Sequence, residues 1–204
     1  MRKRVGVTVL KGRVEAGVLR PGTNVTLAPS TTKAQVKWVE VNHERVEEAL
    51  PGDVVHFNVG DVPDGVERGT VVSDANDQNA APAENFTAKL TVFNLGEKKI
   101  TLGNFPVLDV HLAHVKCEIV ELQTVDLRTG KVVEKNPKVL KVGDTALVEL
   151  RPTAPLCVET FKEFPALGRF SIRDGTQVVA VGRIKSVQKK AGVSKDKRKA
   201  DEST

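Results

Sequence analysis

Apolar and polar residues alternate along short runs of this chain, and they rarely repeat at helical spacing. In Lys33-Ala-Gln-Val-Lys-Trp38, Ala34, Val36 and Trp38 fall on one side and Lys33, Gln35 and Lys37 on the other, the period of a half-buried strand. Phe86, Ala88, Leu90 and Val92 alternate likewise, as do His111, Ala113, Val115, Cys117 and Ile119. Residues 54–59 and 69–72 read as further strands. Pro21-Gly22, Pro51-Gly52 and Gly60-Asp61 punctuate them. Asp126 to Lys131 reads as a hairpin turn with Gly130 at a left-handed position. Asp174-Gly175 signals a tight two-residue hairpin between strands over 169–173 and 177–187. Glu44 to Leu50 is the exception, expected to make a short helical turn that Pro51 ends.

The strands fall into two groups. Residues 1–73 form one small all-β unit. Residues 74–84 carry no apolar period and many turn formers, and read as a linker. Residues 85–189 form the second unit, and 190–204 are polar, charged and aperiodic, as in a disordered tail. The expected fold is all-β: two small antiparallel β-barrels, a short linker and a disordered basic C-terminal tail. Closure would hide the edges that Val-rich strands otherwise expose. A length of 204 residues suits two small domains, and with only 4% aromatics the cores must be built from Val, Leu and Ile.

Charge and chemistry narrow the function. The net charge is +5, and the segment Lys189 to Thr204, with six basic and three acidic residues, supplies +3 of it. That balance permits RNA binding without requiring it. No apolar stretch is long enough for a membrane-spanning helix, and Val5 to Leu10 is too short for the apolar part of a signal peptide, so a cytoplasmic protein without a membrane partner is expected. Cys117 and Cys157 belong to no C-x-x-C pair and read as reduced thiols in a core or at its edge. There is no phosphate-binding loop, zinc signature or nucleophile elbow. His111 and His114, three apart on a strand, point to opposite faces and cannot share a metal. His56 sits beside Phe57 with no evident carboxylate partner, and Glu44, Glu47 and Glu48 read as a solvated face. No catalytic residue, metal or cofactor is expected, and the chain is not expected to be an enzyme.

Several stretches resemble the second and third domains of the elongation factor 1-alpha family of eukaryotes and archaea. They are Gly12-Arg-Val-Glu-Ala-Gly-Val-Leu-Arg-Pro-Gly22, Glu48-Ala-Leu-Pro-Gly-Asp53, Phe57-Asn-Val59, Pro106-Val-Leu-Asp109, His111-Leu-Ala-His-Val-Lys-Cys117, Pro137-Lys-Val-Leu-Lys-Val-Gly-Asp144 and the run Cys157 to Asp174. The likeness extends from about Val9 to Val187, and the spacing His111-x-x-His114-x-x-Cys117 favours the elongation factor over related termination and ribosome-rescue factors. That family opens with a GTPase domain that nothing in this sequence resembles. GTP, its cofactor, therefore has no expected site here.

The resemblance implies that the first barrel grips the aminoacylated 3′ end and the 5′ end of tRNA, while the second touches the T-stem. Glu40, in Trp38-Val-Glu-Val41, matches the carboxylate for the terminal ribose hydroxyl. His43 matches the side chain beside the terminal adenosine. Arg68, in Glu67-Arg-Gly69, matches the cation for the 5′ phosphate. Arg169 and Arg173, on one face of a strand, are implied as RNA or interdomain contacts. Plainer readings stand beside these. Glu40 could be a solvent-facing residue at a strand end, Arg68 a turn cation, and the two arginines partners of Asp174 or Glu159. The chain departs from the family in three places. Met1-Arg-Lys-Arg stands where the opening barrel strand is expected, Val54 replaces a pocket asparagine, and Asn42 replaces the usual histidine. The expected role is binding of aminoacyl-tRNA or other RNA in translation. The alternative is a protein-interaction module that meets a nucleotide-exchange factor, the ribosome or actin.

Overall fold

Every regular element among the described residues is a strand. The computed structural model describes residues 3–4, 7–60, 66–76, 80–94, 99–126 and 128–190. The first unit contains β1 (Lys3–Arg4), β2 (Val7–Arg13), β3 (Asn24–Ala28), β4 (Thr32–Gln35), β5 (Trp38–Val41), β6 (Glu44–Val46), β7 (Val54–Asn58) and β8 (Val71–Asp74). They form an antiparallel five-stranded sheet ordered β1-β2-β7-β5-β6 and a three-stranded sheet ordered β4-β3-β8. Both sheets bury their apolar face in one core, where Val25 of β3 meets Val39 of β5 and Val55 and Phe57 of β7. Among the described residues, the pairings of this unit fall into two ladders, and the two sheets share a core.

The second unit contains β9 (Ala83–Val92), β10 (Val107–Val110), β11 (Ala113–Val125), β12 (Val132–Lys135), β13 (Thr145–Pro152), β14 (Arg169–Asp174) and β15 (Gln177–Lys189). Here the ladder does close. The order β10-β14-β15-β9-β13-β11 returns to β10 through a further β10–β11 pairing, with β12 attached outside on β11. Phe86, Ala88, Leu90 and Val92 all point inward and are essentially sealed from solvent, as their alternation requires. Gly182 of β15 lies under Phe170, where a Cβ would stand 2.2 Å from the ring, so only glycine fits. Cys117 and Cys157 are free and buried, and burial pushes both thiols up to about 12.

Three expectations change. Residues 33–38 are not one strand, because Trp38 opens β5 in the other sheet, on the face opposite buried Val39. Glu44 to Val46 is a strand paired with β5, not a helical turn. The hairpin after β14 turns on Gly175 and Thr176, since Asp174 is still paired, with Gln177. β8 ends at Asp74 and β9 begins at Ala83. Residues 77–79 of the expected linker and 191–204 of the expected tail lie outside the described residues.

Candidate nucleic-acid interface

The β5–β6 hairpin closes on a tight turn. Val41 pairs with Glu44, leaving Asn42 and His43 as a two-residue loop with φ of +50° and +71°. Two consecutive left-handed residues match the twist of the flanking strands. Asparagine tolerates this conformation, whereas histidine in place of the usual glycine is held there at a cost of about 1 kcal/mol. The turn leaves the His43 side chain 90% exposed at the hairpin tip.

Strand register then sets a row across the outer face of the sheet. Lys11 of β2 lies opposite His56 of β7, His56 opposite Glu40 of β5, and Glu40 opposite Arg45 of β6. Trp38 shares this face, two residues before Glu40, while Val39, Val55 and Phe57 point into the core. Arg45 and Glu40 stand opposite each other, but no ion pair joins them. The Arg45 guanidinium lies over the Trp38 ring, 4.3 Å from its centroid. The Glu40 carboxylate faces His43 Nδ1 at 3.8 Å. His43 and His56 are nearly parallel, with ring centroids 6.2 Å apart. His56 therefore has a carboxylate as its cross-strand neighbour, which its sequence neighbours did not suggest.

Glu40 and His43 are thus brought together, and Arg68 is not joined to them. Arg68 is exposed on a turn in which the Glu67 N–H donates to Thr70 Oγ1 at 3.1 Å and the Thr70 N–H donates to the Glu67 carbonyl at 3.1 Å. The next residue, Gly69, packs against Ala113 of the second unit.

On the second barrel, Arg173 finds a carboxylate other than the two considered from sequence. Its Nε donates to Asp109, and its Nη1 donates to the Thr176 carbonyl at 3.2 Å. His114 Nδ1 donates to the other oxygen of Asp109. Burial works to raise the Asp109 pKa, but the hydrogen bonds and charges of His114 and Arg173 together outweigh it and hold the carboxyl below its ordinary value. Glu159 instead accepts from Lys189 Nζ at 2.6 Å. Arg169 lies opposite Arg183, whose guanidinium covers the Phe161 ring at 4.8 Å. His111 sits on the turn before β11 and its Nε2–H donates to the Cys157 carbonyl at 3.2 Å. Burial lowers its pKa, which favours the neutral ring.

Residues 8–73 match the family model for elongation factor Tu domain 2, and residues 85–185 match the model described as GTP-eEF1A C-terminal domain-like. The chain belongs to the elongation factor Tu and 1-alpha family. Elongation factor 1-alpha of Onchocerca volvulus is 50% identical over 195 residues, covering 95% of this chain and 42% of the relative. The oocyte form from Xenopus laevis is 49% identical over 189 residues, covering 92% and 41%. The chain thus spans about two fifths of the elongation factors it matches, and its matches are to their barrel domains. Among solved structures, sup35 complexed with GDP superimposes with a TM-score of 0.81 at 26% identity, covering 91% of this chain and 45% of that one. The resemblance pointed to Glu40 and His43 on this elongation-factor barrel. It did not point to Trp38, Arg45, His56 or Lys11, which strand register gathers around them.

Proposed function

We propose that the chain acts in protein synthesis by binding the acceptor end of aminoacyl-tRNA, or an RNA end of the same chemistry, on the outer face of β2, β7, β5 and β6. The observation that carries this reading is the setting of Glu40. Its carboxylate can only accept hydrogen bonds, it is not tied to Arg45, His43 and His56 flank it, and Lys11 lies one strand beyond His56 on the same face. A ribose hydroxyl is a fitting donor for that carboxylate, and the neighbouring nitrogens suit phosphate or base edges. Arg68 lies on a separate turn and Arg169 and Arg173 on β14 of the second barrel, and they would meet the RNA backbone there. The work is binding in the cytoplasm, with no bond made or broken by this chain and no cofactor of its own. GTP chemistry belongs to the full-length family.

A filter-binding titration with charged and uncharged tRNA, run across a salt series, tests the reading. Affinity should fall steeply as salt rises. Glu40→Ala should weaken binding by about tenfold or more, the value of a hydrogen bond to a charged group. Absence of salt-dependent binding at low ionic strength would sink the proposal.

A second reading rests on a different feature. An open cleft of about 600 Å³ on the second barrel is lined by Phe105, Pro106 and Val107 with Lys99, Lys116 and Arg173. Phe105 is 54% exposed. An apolar floor whose rim carries these three cations against the single carboxylate of Asp174 suits an acidic protein partner, such as a nucleotide-exchange factor, a ribosomal protein or actin. Co-sedimentation with actin filaments, lost in Phe105→Ser, would support the actin version; no co-sedimentation of the parent chain would reject it.

A further inference from the structure

The outer face of the first unit carries an indole that the family resemblance did not point to. Trp38 is half-buried on the solvent side of β5, and Arg45 reaches across from β6 to lie over it. Register places Arg45 opposite Glu40, so an Arg–Glu pair was the simplest outcome. The guanidinium takes the indole face instead. That choice leaves an exposed guanidinium seated on the indole, beside a partly buried carboxylate with spare acceptor capacity.

We propose that Trp38 and Arg45 together form a base-stacking platform for a single-stranded RNA end. The inference rests on the RNA-binding reading above and adds where a base sits. A guanidinium plane backed by an indole offers a base what successive aromatic platforms offer in single-strand binders, namely a π-face and a charge next to the phosphates. From the platform, Glu40, then His56, then Lys11 continue the same face toward β2, so a stacked nucleotide has a carboxylate nearest to it and hydrogen-bonding and cationic groups beyond. An acidic protein segment would use the charges without needing the planes, so the planes favour nucleic acid. Nothing in the core depends on this pair. Val39, between Trp38 and Glu40, carries the packing with 0% exposure.

The chain contains its own probe, because Trp38 is the one tryptophan and there is no tyrosine. Emission from Trp38 is followed while a short single-stranded RNA ending in CCA is added, with filter binding of the same RNA in parallel. The expected result is quenching that saturates at the filter-binding midpoint. Arg45→Ala should weaken binding roughly five- to a hundredfold, the range for loss of one stacked base. Arg45→Lys keeps the charge and loses the plane. It should also weaken binding while leaving the salt slope unchanged, and full retention of affinity in that variant overturns the platform. RNA that binds on the filter without altering Trp38 emission overturns the platform and leaves RNA binding by the chain standing. Quenching by heparin as strong as that by RNA also overturns it, since charge alone would then suffice. No binding by either readout overturns the platform together with the reading beneath it. Arg45 is exposed on a short outer strand, so its variants should keep the melting temperature of the parent chain.

Discussion

Gly69 stands so close to Ala113 that a Cβ built on the glycine would lie 2.9 Å from the Ala113 Cβ. This contact joins the turn carrying Arg68 to the first residue of β11. The glycine is also at φ +97°, where a side chain is strained in any surroundings. Gly22 separates the two effects, because it has φ +86° and nothing within 4 Å of its built Cβ. Gly69→Ala should destabilise the chain by about 1–2 kcal/mol more than Gly22→Ala, the part due to overpacking. Equal losses in urea unfolding would show that the contact between the units carries no energy.

The alternation in β9 was readable because that strand lies wholly in one sheet, with one face inward along its length. The run 33–38 misled because the chain changes sheets inside it. The Val36 amide bonds to the Thr23 carbonyl, and the Lys37 amide to the Asn58 carbonyl in the other sheet. A shift of one residue in phase moves every later side chain to the other face. Trp38 therefore left the expected core and joined Glu40 outside. Glu44 to Val46 misled for a related reason: a three-residue strand leaves little alternation to see, and its identity comes from pairing with β5. The resemblance could point to Glu40 and His43 because those positions match the family. His56 and Lys11 lie on other strands, and only register puts His56 beside Glu40 and Lys11 next in the row.

The two cysteines should be silent in the folded chain. Each is at most 3% exposed, and burial raises both thiols to about 12, so almost no thiolate is present near neutrality. Alkylation by iodoacetamide should modify neither until denaturant unfolds the chain, and then both. Fast modification of either in native buffer, read by mass spectrometry, would contradict the burial of that thiol.

Asp109 gives a pH dependence with a definite sign. Its folded carboxyl gives up a proton more readily than the ordinary value of 3.8 implies, so the stability it adds is complete above that value. That stability is lost as pH falls through the folded pKa. Arg173 and His114 are partly exposed, so solvent screening limits the effect to about 1 kcal/mol. Asp109→Asn should therefore be less stable than the parent by about 1 kcal/mol near pH 5, with the gap closing well below pH 4. A gap that widens toward acid would reverse the assignment.

Val54 tests how far the first unit departs from its family. It is 50% exposed on the outer face, across β2–β7 from Arg13, at the position where the resemblance implies a pocket asparagine. Val54→Asn exposes no core and should change stability by no more than about 0.5 kcal/mol. If the acceptor end of aminoacyl-tRNA binds here, one added hydrogen bond of about 0.5–1.5 kcal/mol should tighten charged tRNA by about two- to tenfold. Uncharged tRNA, lacking the amino-acid moiety, should be unaffected. Equal gains for both forms would mean that the amino acid does not reach this residue.

His43 separates function from stability most directly. Its left-handed φ of +71° costs the hairpin about 1 kcal/mol that glycine would not incur. Glycine also loses more backbone freedom on folding, which offsets part of that gain. His43→Gly should therefore leave the chain as stable as before or more stable by up to about 1 kcal/mol. The same change removes the imidazole that faces Glu40 at 3.8 Å and lies parallel to His56. RNA affinity should then fall by about fivefold or more while the melting temperature holds or rises, because a hydrogen bond worth about 1 kcal/mol is lost from the interface alone. His43→Asn, which tolerates the same φ and keeps a polar head, should fall between the two. Binding and stability moving down together in His43→Gly would mean that the imidazole supports the hairpin, and its place at the tip would then need no ligand to explain it.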